Sequence, residues 1–211
     1  MPEFMSLKKL QPYFNVTTKE IITRLGLSLV PFNKKFFENF NDKPDLYGPF
    51  WILTSLVAAL FIGGNVTRFI TWPSRDVPFS YSFKTVPVAT SVIYGVGLGL
   101  PLLIKLILNL YGTGDPTTRT TTTIQSIGIY CYSFSSLIVA TILCCLIPYS
   151  IAQWIFVSLA AVQTIGFLLI TYNEDLKKEL ETKQRWAVIV LICLVQIGLL
   201  ALLKFYFFSH F

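Results

Sequence analysis

Few residues in this chain could do covalent or acid–base chemistry, and their placement argues against it. The only histidine is His210, one residue from the end, and it cannot furnish the ligand set that a metal hydrolase needs. Cys131, Cys144, Cys145 and Cys193 all lie inside apolar runs and read as small packing residues. Cys131, near a predicted span end, keeps acylation as an alternative. None of the five longest apolar runs contains Asp or Glu, so paired carboxylates for intramembrane acid–base work are missing. Gly95, Gly97 and Gly99 have a loop-like spacing but lack the preceding strand and the Lys-Ser/Thr ending that cradle phosphates. Gly95 and Gly99, four apart, instead predict a small-xxx-small face for close helix packing. The expectation is a non-enzyme with no catalytic residue, cofactor or metal.

The elements that would position any site are helices in lipid. The chain is 54% hydrophobic and 13% charged, with mean hydropathy +0.63, whereas an average soluble domain is roughly 25% charged. Five runs are long enough to cross about 30 Å of hydrocarbon: residues 49–70, 88–110, 127–147, 151–172 and 186–208. Lipid offers no partner to backbone polar groups, and the alternating segments of a β-barrel are absent, so the runs predict helices. The fold class expected is all-α, a polytopic bundle of five transmembrane helices behind a cytosolic N-terminal amphipathic segment. The domains expected are 1–48 and 49–211. Only Pro148-Tyr149-Ser150 separates the third and fourth runs, which predicts a tight helical hairpin.

Charge sets the expected orientation. Thirteen of the seventeen Lys and Arg residues fall in the N-terminal segment and the second and fourth loops with their flanks, which puts the N-terminus in the cytosol and the C-terminus in the lumen. Basic residues placed between apolar runs fit anionic headgroups, so membrane lipids are expected partners and nucleic acid is not. Thr17 with Glu20 reads as a capping box for a helix over about 18–30. Its Ile21, Ile22, Leu25 and Leu29 predict an apolar face against the bilayer or the bundle. Glu174, Glu179 and Glu181, each four before a Lys or Arg, predict helix running past the fourth span. Arg68, Lys105 and Lys204 lie within snorkelling reach of span ends, while Asn65, Asn109, Gln153, Gln163 and Gln196 suit interhelical hydrogen bonds. The sequon at Asn65 is expected to sit too close to the membrane for glycosylation, and that at Asn15 to lie in the cytosol.

The most distinctive stretch is Asp45-Leu46-Tyr47-Gly48-Pro49-Phe50-Trp51. Pro49 suits a helix start, and Tyr47 and Trp51 suit a membrane interface. Asp45 reads either as a cap or as an acceptor for a neighbouring loop or a partner. With Pro12-Tyr13-Phe14-Asn15-Val16, Gly26 to Pro31, Gly64-Asn65, Tyr130-Cys131-Tyr132-Ser133 and Ile147-Pro148, this stretch resembles the Yip domain (YIPF) family of endomembrane proteins, in its Golgi-associated branch. Cys131 departs from that family's usual Gly. The resemblance implies five spans, a cytosolic N-terminus and residence in Golgi or ER–Golgi membranes. It also implies hetero-oligomers with another YIPF-family protein, association with Rab-type GTPases, and a role in vesicle trafficking and Golgi organisation. Asp45, Leu46, Tyr47, Gly48, Pro49, Tyr132 and Ser133 would serve partner binding or assembly. A membrane transporter, channel or lipid-handling protein is the competing class.

Overall fold

The structure, a computed structural model, describes residues 11–30, 36, 40, 43–70, 72, 79–112, 122–147 and 149–208, without the side chains of Glu174, Asp175 and Glu179. All described regular structure is helical. A 3-10 turn (Gln11–Phe14) precedes α1 (Thr18–Ser28), α2 (Tyr47–Ile70) and α3 (Thr85–Tyr111). Then follow α4 (Thr123–Ser133), α5 (Ser135–Leu146), α6 (Ser150–Glu179) and α7 (Thr182–Leu202), which runs into a π-helical turn at Leu203–Phe207. With α4 and α5 as one span, five helices are long and apolar enough to cross a membrane. The chain is a multi-pass membrane protein.

The third span is the hub. In its most apolar window 72% of residues are buried, against 28–39% in the other four spans. The others wrap it and leave Leu102, Ile155, Val162 and Leu194 outward. Lipid is as apolar as these side chains, so close packing and interhelical hydrogen bonds must hold the bundle together. The bonds are present. The Thr54 and Tyr94 hydroxyls meet at 2.7 Å between α2 and α3, and Gln196 donates to the Tyr130 hydroxyl at 2.8 Å between α7 and α4. Tyr172 on α6 donates to the Ser126 carbonyl at 3.2 Å.

Two irregularities have no counterpart in the hydropathy pattern. The third span breaks at Phe134, where the Phe134 N–H turns back to the Cys131 carbonyl at 3.1 Å. Ser133 Oγ donates to the Tyr130 carbonyl at 2.6 Å, and Ser136 and Thr164 hydroxyls donate to the Ser133 carbonyl at 3.2 and 3.4 Å. Side-chain hydroxyls satisfy the carbonyls that the helix releases, which is what makes a break tolerable in lipid. The second irregularity is Pro101 inside α3. Proline has no N–H for the carbonyl four residues earlier, which is that of Gly97. The Cys131 thiol donates to that carbonyl at 3.5 Å. Cys131 thus fills an acceptor left open by a neighbouring proline.

Other expectations meet the structure in detail. Helix α6 continues past Tyr172 to Glu179, leaving Leu180 and Glu181 as the link to α7. The Glu174 and Glu179 pairings lie outside the described side chains, and Arg185 meets Glu181 through its backbone N–H, which donates to the Glu181 carbonyl at 2.9 Å. Asn65 is buried and brackets the first connection: it accepts from Ser82 N–H at 2.9 Å and donates to the Ser82 and Phe61 carbonyls at 3.3 and 3.0 Å. Pro148 falls outside the described residues.

Candidate functional site

The sequence motif before the first span closes on a buried carboxylate. Asp45 is fully buried and forms an ion pair with Arg24 of α1, itself 4% exposed. Its Oδ2 accepts the Gly48 N–H at 2.7 Å, satisfying one of the donors that the start of α2 leaves open. The Tyr132 hydroxyl of α4 donates to both Asp45 oxygens at 3.2 Å. Arg24 spends a second nitrogen on the Lys43 carbonyl at 2.7 Å. One carboxylate therefore ties α1, the start of α2 and the third span together. A buried charge pair this well hydrogen-bonded avoids the penalty of an unpaired one.

The remainder of the motif explains why the carboxylate can sit there. A Cβ on Gly48 would run into the Tyr132 hydroxyl and Asp45 Oδ2, so only glycine lets α2 come this close to α4. Pro49 is buried in the first turn, where its missing N–H is not needed. The helix begins at Tyr47, two residues before the predicted Pro49. Leu46 donates its N–H to the Tyr13 carbonyl at 3.0 Å, anchoring the upstream turn. Tyr47 and Trp51 are exposed, with ring centroids 6.1 Å apart, as interfacial aromatics should be. Ser133 is buried at the break in the third span, where its hydroxyl donates to the Tyr130 carbonyl, outside the described contacts of Asp45.

Helix α1 docks with its apolar face turned away from the bundle, one of the two placements, bilayer or bundle, expected for it. Its capping box is formed: Thr17 N–H donates to Glu20 at 2.8 Å and Glu20 N–H to Thr17 Oγ1 at 3.4 Å. The Thr17 backbone bond chiefly holds the exposed Glu20 carboxyl below its ordinary value. The face turned to the bundle, however, is polar: Arg24 and Ser28 are buried, four residues apart. Ser28 Oγ lies 2.8 Å from Ser135 Oγ, and Gln163 Nε2 donates to the Ser28 carbonyl at 2.8 Å. Ile22 and Leu29 point outward at 64% and 42% exposure. Only Ile21 and Leu25 of the expected apolar face are partly covered. The physical reason is that the third and fourth spans offer α1 hydroxyls and an amide, whereas the surroundings accept its apolar side.

An aromatic lining completes the site. Phe36 and Phe40 are fully buried, stack at 5.6 Å, and set their edges against Tyr132 at 5.5 and 5.6 Å. Phe36 also meets Phe167 of α6 at 5.1 Å, and the Arg24 guanidinium lies 5.3 Å from the Phe40 ring centre. Phe40 presses on Gly128, where an added Cβ would collide with its ring. Since Gly48 is level with Tyr132, α4 projects about nine residues, ~13 Å, beyond the start of α2. The phenylalanines occupy that collar. Arg24, Ser28, Phe36, Phe40, Ser135 and Gln163 are the members that motif reading did not place. The signal available was the i, i+4 spacing of Arg24 and Ser28.

The expected packing glycines need correction within this chain. A Cβ on Gly95 or Gly99 would meet nothing within 4 Å. Gly97, on the opposite side of α3, makes the close contact, with its hypothetical Cβ 2.8 Å from Leu53 Cδ2. Gly63 does the same against Cys145. The phase of α3 is set by Ile93, Gly97, Leu100 and Ile104 facing inward, which turns Gly95 and Gly99 out. The site's chemistry is that of a structural clamp. Among the described residues no group of three or more His, Cys, Asp or Glu is placed to hold a metal.

The Yip1 domain family model matches residues 27–208. The chain is 32% identical over 197 residues to "Protein YIPF1 homolog" of Dictyostelium discoideum, covering 93% of this chain and 54% of that protein. It is 40% identical over 82 residues to "Protein YIP5" of Schizosaccharomyces pombe (strain 972 / ATCC 24843), covering 39% of this chain and 32% of the relative. The chain thus spans about half the length or less of these two relatives. No solved structure matches. With its model matched over nearly the whole length and the motif residues joined in one buried clamp, the chain belongs to the Yip1 domain family.

Proposed function

We propose that this protein is a non-enzymatic membrane adaptor in ER–Golgi vesicle trafficking and Golgi organisation. Its N-terminus faces the cytosol and its C-terminus the lumen, in Golgi or ER–Golgi membranes. It associates with Rab-type GTPases and with another YIPF-family protein. The observation that carries the reading is the buried Arg24–Asp45–Tyr132 clamp. A helix held this firmly at the basic end of the bundle, with its own apolar face outward, is a platform for a partner rather than a tether. Family membership and the names of the relatives support the setting. The test is capture of prenylated Rab-type GTPase by the protein in nanodiscs. Wild type should retain the GTPase, and Asp45→Ala, with intact helical content, should lose it. Equal retention by both would refute the platform.

A lipid-handling role has one specific observation in its favour. An open groove of about 280 Å³ lies between α5 and α6, lined by Val139, Leu143, Phe156 and Leu159 with Leu29 of α1 at its lip. Reconstituted lipid flux that survives Asp45→Ala would favour that reading over the adaptor.

A further inference from the structure

The end of the bundle opposite the clamp holds a cation that the fold leaves without a counter-charge among the described residues. Lys204, expected to snorkel, is instead 5% exposed, inside the π-helical turn that ends α7. Its Nζ donates to Gln153 Oε1 at 2.6 Å and lies 5.7 Å from the Trp154 ring centre. Gln153 is itself fully buried, and its Nε2 donates to the Cys144 carbonyl at 3.4 Å. That bond fixes the amide so that its oxygen must face the lysine. Both neighbours are neutral. Among the described residues the ion pairs are Arg24–Asp45 and Lys43–Glu20, and neither involves Lys204. An ammonium has three donors, and the described hydrogen bonds use one.

A buried charge in a membrane span is costly and marks a site when nothing inside the protein neutralises it. The π turn has a similar meaning, because such turns gather at functional positions. Around Lys204 the surface is a collar of exposed aromatics: Trp154, Phe205 and Tyr206, with Trp154 and Phe205 edge to face at 5.7 Å. Aromatic rings of this kind sit at the headgroup level of a bilayer. We propose that Lys204, held in place by the buried Gln153, is a binding site for the phosphate of an anionic membrane phospholipid, which lies between the ammonium and the Trp154–Phe205 pair. The lipid supplies the negative charge, and its chains lie along the apolar outer face of α6 and α7.

The experiment compares the full chain in nanodiscs of phosphatidylcholine alone and of phosphatidylcholine with phosphatidic acid. Co-purifying lipid and thermal stability are both measured. Wild type should enrich phosphatidic acid about fivefold over its bulk fraction and unfold at a higher temperature in its presence. Lys204→Met should lose both effects. Gln153→Glu provides the counter-charge internally, so it should be stable without phosphatidic acid and show no enrichment. That variant keeps the test sharp if Lys204→Met folds poorly. Equal enrichment by wild type and Gln153→Glu, or no enrichment by wild type, overturns the proposal. A stability gain from inorganic phosphate alone in phosphatidylcholine nanodiscs overturns the assignment to lipid.

Discussion

Replacing Asp45 with Ala should detach α1 from the bundle before it unfolds the bundle itself. The substitution strands the Arg24 guanidinium in a site where Arg24 is 4% exposed. Removing one partner of a buried ion pair costs about 3–5 kcal/mol. The same carboxylate caps Gly48 and accepts from Tyr132, so these losses fall within that figure. Asp45→Asn keeps an acceptor for the Gly48 N–H but gives up the charge, and should cost about 1.5–3 kcal/mol. Pairing Asp45→Asn with Arg24→Met removes the stranded cation. The double variant should therefore be less damaged than the sum of the singles, by a coupling of about 2 kcal/mol. Helix α1 is anchored at Arg24 and Ser28, so loss of the Arg24 anchor lets it open as a local unit. Amide hydrogen exchange in nanodiscs over Thr18–Ser28, alongside global thermal unfolding, measures both levels. Unchanged protection of α1 in Asp45→Ala, or additive singles in the cycle, would refute the reasoning.

Gly48→Ala should destabilise by about 1–3 kcal/mol through collision with the Tyr132 hydroxyl, less so in a Tyr132→Phe background; thermal scans of both backgrounds check it. Gly97→Leu should damage folding, while Gly95→Leu and Gly99→Leu should leave monomer stability within about 0.5 kcal/mol. A loss of complex size in native gels for the latter two would assign their open face to a partner subunit. Cys131→Ser retains a donor for the Gly97 carbonyl and should stay near wild type. Cys131→Ala should lose about 1 kcal/mol, read by chemical unfolding in detergent.

The five spans are legible because lipid leaves apolar length as an almost sufficient signal. Their ends move where local chemistry intervenes. Helix α2 starts at Tyr47 because Asp45 caps Gly48, a bond across three residues. The capping box at Thr17 is similarly local, and its two residues announce it. What stays hidden depends on partners far along the chain. The inward polar face of α1 exists because Ser135 and Gln163 wait for it, and beyond the i, i+4 spacing of Arg24 and Ser28 nothing nearby announces that. The break at Phe134 needs Thr164 from another span. Gly95 and Gly99 share the periodicity that would make them a packing face, but the phase of α3 is chosen by Ile93, Leu100 and Ile104. The motif reading puts Asp45, Leu46, Tyr47, Gly48, Pro49, Tyr132 and Ser133 in one group; in the structure Asp45, Gly48 and Tyr132 meet directly with Pro49 adjacent, while Leu46 bonds to Tyr13 and Ser133 to Tyr130. Tyr47 alone of its members is a surface residue.

The platform depends on the docked position of α1, and an engineered disulfide can measure it. The Ser28 and Ser135 hydroxyl oxygens are 2.8 Å apart. The double variant Ser28→Cys with Ser135→Cys, expressed in native membranes and mildly oxidised, should yield a crosslinked peptide joining positions 28 and 135, identifiable by mass spectrometry. Adding Asp45→Ala should abolish it. Absence of that crosslink in the parent pair, or its persistence with Asp45→Ala, would contradict the clamp.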